Sequence, residues 1–159
     1  MATEHLMYLA APGPAEEVAA TVLRDGQEGG LIASEVTVAS VMGEGINLGS
    51  GLRVRISHVQ PDPKDPVVAD MQIVPNTLFY FRLHNLEDRE RQTDEVVWLA
   101  LDALIRFPGD AVLTFQLEVI WLLRRGDQLW LHTEPNFWTP ERLQMVPMPY
   151  LQAAMHFPD

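Results

Sequence analysis

The stretch VIWLLRRGDQLWLHTEPNFW, residues 119–138, contains three of the chain's four tryptophans and a Gly126–Asp127 pair flanked by apolar runs. A Gly–Asp pair between two such runs marks a two-residue hairpin loop. With the loop fixed there, Arg125 faces Gln128, Leu123 faces Trp130 and Trp121 faces His132. Alternation then sorts the side chains. Ile120, Leu122, Leu129 and Leu131 make one aliphatic face suited to lie under a helix, and Trp121, Leu123, Arg125, Trp130, His132 and Glu134 make the other. Aromatic and arginine side chains concentrate at binding hot spots because each combines contact area with a polar handle. These six residues are therefore the candidate partner-binding set. The alternative is that the C-terminal segment, with Phe137, Trp138 and Tyr150, folds over that face and buries it.

Working outward from the hairpin, period-two alternation recurs in Leu52–Val59 and Thr77–His84. Leu52, Val54 and Ile56 share a face in the first, and Phe79, Phe81 and Leu83 share one in the second. His5–Ala10, Glu35–Met42 and Val68–Val74 read as further strands. Pro75–Asn76 is a turn, and PDPKDP (61–66) is a surface loop, because three prolines in six residues suit neither a helix interior nor a central strand. TFQLEVI (114–120) joins two strands without the Asn–Gly pair that a tight hairpin favours.

Two helices stand out. PGPAEEVAATVLRDG has Pro14 near its start, Glu16 and Glu17 in its first turn, an apolar stripe of Ala15, Val18, Ala19, Val22 and Leu23, and Gly26 after its end. The second has Thr93 as cap, Asp94 and Glu95 in its first turn, and Val97, Leu101, Leu104 and Ile105 along one side before FPGD stops it. A short helical turn at TPERLQMV has Thr139 as its cap. Grouped strands with few helices predict an α+β fold: a single domain over residues 1–159, with a mostly antiparallel sheet and two main helices packed on one face.

Composition narrows the function. The chain has 159 residues, 47% hydrophobic and 21% charged, which suits one soluble globular domain. No apolar run approaches the ~20 residues of a membrane span, and the N-terminus lacks the basic and apolar regions of a signal peptide, so a cytoplasmic location is expected. The absence of cysteine excludes disulfides, thiolate nucleophiles and cysteine-bound metal centres. A formal charge of −11 repels nucleic acid and anionic lipid; it either serves only to keep a small protein soluble or speeds association with a basic protein partner.

Signatures of catalysis are missing. The glycine-rich GEGINLGSG (43–51) precedes a strand, whereas a phosphate cradle needs a following helix, so a hairpin loop is the reading. No serine-hydrolase elbow or zinc-peptidase motif occurs, and the spacing of His58, His84 and His132 gives no reason for them to converge on a metal. The acids from Glu87 to Glu95 interleave with Arg89 and Arg91 and read as a solvated helix start. No catalytic residue, metal ligand or cofactor is assigned.

Taken together, YLAAPGPAEEVA, GSGLRVRI, FYFRL, GDAVLTF, LLRRGDQLWL and FWTPERLQMVPMPY resemble the small immunity proteins of the swarming-inhibition-toxin (Sit) type, which are encoded beside contact-delivered bacterial toxins. The resemblance spans nearly the whole chain. It implies a cytoplasmic antitoxin that binds and silences a cognate protein toxin, without enzymatic activity or cofactor. Two other readings are a small acidic chaperone for an exported effector, which would need a dimer with an apolar groove, and an enzyme with a small-molecule pocket around His132 and Arg125.

Overall fold

The computed structural model describes residues 3–84 and 88–158. In chain order the elements are β1 (Thr3–Leu9), α1 (Ala15–Glu28), α2 (Val38–Met42), β2 (Ile46–Asn47), β3 (Arg53–His58), α3 (Pro66–Ala69), β4 (Thr77–Leu83), α4 (Arg89–Arg106), β5 (Ala111–Phe115), β6 (Val119–Arg125), β7 (Gln128–Leu131), α5 (Pro140–Gln144) and β8 (Leu151–Gln152). The strands form one sheet in the order β2-β3-β4-β1-β5-β6-β7-β8. All neighbours are antiparallel except β7 and β8. The fold is α+β, as the grouping of strands predicts.

The two long helices share one sheet face. Val18, Val22 and Leu23 of α1 and Val97, Leu101 and Leu104 of α4 are buried in one cluster with Met7, Val54, Phe79, Phe81, Leu113 and Leu122 from the sheet. At ~25 cal/mol per Å² of apolar surface removed from water, this layer is the main source of stability. Ile105 is an exception to the expected stripe, being 54% exposed.

The opposite face is covered more thinly. Tyr8, Val112 and Ile120 from the sheet are buried there with Val67 and Ile73 from the α3 segment and Phe157 from the C-terminal segment. One part of the expectation changes as a result. Val68–Val74 is not a strand: Asp65 caps a short helix with Pro66 in its first turn, accepting from Val67 N at 2.8 Å, and the chain then turns across the sheet.

Other differences are local. Glu35–Met42 does not form a strand, because Thr37 caps α2 by accepting from Ser40 N at 3.2 Å, and capping outweighs the alternation of Val36 and Val38. Gly26 lies inside α1 rather than after it. A side chain there would meet Ile32 Cδ1 at 2.6 Å, so the glycine lets the chain fold back against the helix. Helix α4 begins at Arg89, and Thr93 donates to Arg89 O at 2.9 Å from within the helix instead of capping it. Of the acids read as a solvated start, Glu95 is buried against Ser50, with Gln92 beside it bonding Ser50 O and His84 O; Glu87 lies outside the described residues.

Two buried arginines lock the elements together. Arg124 donates to the carbonyls of Leu104, Phe107 and Gly109, satisfying the orphan end of α4. Arg142, 1% exposed, joins α5 to α4 through Asp94 and Glu90, each at 2.7 Å, and bonds the carbonyls of Asn136 and Phe137.

Candidate functional site

The β6–β7 hairpin has the register read from its loop: Arg125 opposite Gln128 and Leu123 opposite Trp130. His132 N donates to Trp121 O at 3.0 Å, continuing that pairing past the end of β7. Side-chain sorting departs from the expectation at one place. On its other side β6 pairs with β5, and there the register shifts, with Leu113 opposite Leu122 but Thr114 opposite Ile120. Trp121 is the extra residue of a β-bulge. A bulge exchanges the faces of the residues that precede it, so Ile120 joins the thin-face cluster rather than lying under α4.

The six candidate residues divide accordingly. Leu123 packs on the thin-face cluster, and Arg125 on the same face donates to Met71 O. Trp130, opposite Leu123, is half-buried beside them. Trp121 packs against the helix-side cluster instead. Its ring stacks on Phe137 at 4.4 Å and 3°, and His132 approaches its edge at 5.4 Å. His132 Nδ1 accepts from Glu134 N at 2.9 Å, which fixes the proton on the other ring nitrogen when the imidazole is neutral. The C-terminal segment does not cover the set as a whole. Phe137 and Trp138 bury themselves on the helix side, and Trp138 Nε1 donates to Trp121 O at 2.7 Å, which helps hold the bulge.

Trp121, Glu134 and Phe137 border a cleft of about 410 Å³ whose other walls are Thr3 and His5 of β1, Leu83 of β4, Phe115 of β5, Arg89, Glu90 and Thr93 of α4, and Asn136. Three aromatic rings and a buried histidine meet there. His5, 5% exposed, lies 5.5 Å from the Phe115 ring and 5.8 Å from the Phe137 ring. Burial and then the nearby Arg89 charge lower its pKa to about 4, so it is neutral at pH 7. Neither His5 Nδ1 nor Trp121 Nε1 has a hydrogen-bond partner among the described residues, and buried polar groups in proteins are nearly always paired. Arg89 donates to Thr3 Oγ1, which ties the start of α4 to β1. Glu134 Oε1 accepts from Asn136 N at 3.1 Å, which orients the carboxylate at the lip.

Of the residues that line this cleft, Trp121 and Glu134 belong to the set expected from sequence, whereas His5, Arg89 and Phe115 do not. These three come from separate elements, and no local spacing links them. A second polar group was equally hidden. Asp25 of α1 and Asp102 of α4 meet between the helices, with Arg106 bonding Asp25 at 2.8 and 3.3 Å. Burial, then the hydrogen bond and charge of Asp25, raise the Asp102 pKa to about 7. Burial also pushes Asp25 upward, but the bonds from Asp102 and Arg106 outweigh it and hold Asp25 below the ordinary carboxylate range. Asp102 Oδ2 is buried without a hydrogen-bond partner among the described residues, which agrees with a carboxyl that holds its proton near pH 7. Among the described residues, no group of three or more His, Asp or Glu side chains is placed to hold a metal ion.

The model of the family described as SitI3-like matches residues 3–142, from β1 into α5. Comparison with curated proteins and with solved structures returns no match. The match extends over most of the chain, and the chain belongs to the SitI3-like family.

Proposed function

From this family membership we propose that the protein is an immunity protein, acting as one unit over residues 1–159, that binds and neutralises a cognate toxin delivered by cell contact. The family match is the observation that carries the reading. It acts by occupying the toxin's surface, with no chemistry of its own and no cofactor, in the cytoplasm of the cell it protects. The net charge of −11 supports a basic toxin, since opposite fields speed encounter, and it disfavours nucleic acid and anionic membrane as partners. No described helix is long and apolar enough to cross a membrane.

The β6–β7 hairpin supplies the contact, with Trp121, His132 and Glu134 on the cleft side and Leu123, Arg125 and Trp130 on the other. Co-expression with the toxin encoded by the adjacent gene should restore growth of a sensitive cell, and the purified pair should associate. A toxin that still kills and does not bind overturns the reading. Replacing Trp130 by Ala should weaken binding by ~2 kcal/mol or more, the usual threshold of a hot spot, while the mutant stays folded. Loss of stability with unchanged affinity in the folded fraction would remove Trp130, and its neighbours Leu123 and Arg125, from the contact.

A further inference from the structure

We propose that the cleft between β1, β6 and the start of α4 receives an arginine or lysine side chain of the protein partner, its cation lying against the aromatic wall and beside the Glu134 carboxylate. This rests on the reading of the protein as a toxin-binding immunity protein, and adds the chemistry of the group recognised.

Four observations converge on a cation. The wall is built from Phe115, Trp121 and Phe137, and aromatic faces attract ammonium and guanidinium groups through the ring quadrupole. Glu134 stands at the lip, oriented by Asn136, and among the described residues it forms no ion pair. His5, almost fully buried in the wall, is neutral and adds no positive charge to the cleft. The field of the whole molecule, at −11, selects a basic partner.

Arg89 occupies the far wall and sets the limit of the site. Its bond to Thr3 holds the guanidinium beside β1, and repulsion from it leaves the Glu134 carboxylate as the favoured seat for an incoming cation. The volume of about 410 Å³ holds one long side chain and leaves no room for a folded segment.

The test uses two small probes on the ¹⁵N-labelled protein, N-acetyl-arginine methylamide and N-acetyl-aspartate methylamide. The indole N–H signal of Trp121 is assigned by its loss in Trp121→Phe. The arginine probe should shift that signal saturably at concentrations up to about 50 mM, as a single contact of modest strength allows, and the aspartate probe should not. Glu134→Gln removes the charge but keeps an oxygen to accept from Asn136 N, and should weaken arginine binding about tenfold, as expected for loss of one charge-assisted contact. Binding of the aspartate probe instead, or no shift with arginine, overturns the proposal.

A parallel titration with the co-encoded toxin keeps the two ideas apart. Toxin binding that is unchanged by Glu134→Gln, together with a silent arginine probe, refutes the cleft and leaves the immunity reading standing. Failure of the wild-type protein to bind the toxin refutes that reading, while the probe result still decides what the cleft accepts.

Discussion

On one face of the sheet, α1 and α4 lay two long apolar stripes over Met7, Phe79, Phe81 and Leu113. On the other face a four-residue helix, the turn after it and the C-terminal segment place Val67, Ile73 and Phe157 over Tyr8, Val112 and Ile120. Both layers exclude water, but they are held differently. The helices bond their own backbones and meet the sheet mainly through apolar contact, with Gln92 and Arg124 adding side-chain bonds. The thin cover is irregular chain, and it must borrow bonds from strand edges: Ile120 N donates to Met155 O at 3.1 Å, and Phe157 N to Glu118 O at 2.9 Å. A face covered by helices is therefore welded to the global fold, whereas a face covered by a strap can be uncovered on its own.

The largest effect that would test this contrast comes from the helix side. Phe81→Ala should cost ~3–5 kcal/mol, measured by urea denaturation, because its site is enclosed by helix and sheet and cannot collapse. Phe157→Ala removes a ring of the same size but should cost only ~1–2 kcal/mol, because the segment can detach without global unfolding. Hydrogen exchange would show this directly, with the backbone amides of Ile120 and of position 157 losing protection in Phe157→Ala while that of Phe81 keeps it. Equal losses in both variants would erase the distinction between the two faces.

A smaller effect, which depends on pH, sharpens the description of the helix layer. Asp102 takes up a proton at about pH 7 in the folded protein and near 3.8 when unfolded, so the folded state holds the extra proton between those values. Stability from this group therefore falls as pH rises from about 4 through 7. Arg106 and Arg24 offset part of the repulsion from Asp25 above that range, and Glu28 adds to the negative field around Arg106. Asp102→Asn supplies a permanent N–H donor to Asp25 and should flatten the slope of melting temperature against pH across this window. An unchanged slope would mean that the two carboxyls do not share a proton.

The smallest effect lies in the turn between β5 and β6. Gln116 and Leu117 both have positive φ, 54° and 56°, and Glu118 N closes the turn on Phe115 O at 3.0 Å. Asn–Gly would suit this geometry, yet the hairpin forms because Leu117 packs on the thin-face cluster. Gln116→Gly, at an exposed position, should raise stability by ~0.5–1 kcal/mol, as relief of a left-handed non-glycine residue does. A destabilised variant would show that Gln116 is not strained.

What the sequence makes legible follows from the range of the interactions involved. Alternation in Leu52–Ile56 and Phe79–Leu83 gives strand and face together, because both are properties of neighbouring residues. The hairpin register follows from Gly126–Asp127 for the same reason. The α2 and α3 segments were misread where one capping residue, Thr37 or Asp65, outweighs a short apolar pattern. The bulge at Trp121 has no sequence signature, since any residue can occupy it, and it turns Trp121 to the helix side and Ile120 to the thin face. His5 and the Asp25–Asp102 pair depend on contacts between distant elements, which spacing cannot display.

The place of β1 has a consequence for the order of folding. The strand lies in the middle of the sheet, yet it comes from the start of the chain, and it pairs with β4 and β5. The segments β2–β4 and β5–β7 each contain short-range pairings that can form quickly, as local loops close at little entropic cost. Within the sheet the two groups meet only through β1, while Val67 and Ile73 of the first pack on Val112 and Ile120 of the second. Joining them requires contacts between residue 3 and residue 83, and between residue 5 and residue 115, which are long closures. Topology therefore predicts that capture of β1 between the two groups sets the folding rate, and that mutations in β1 act on that rate more than those in either group.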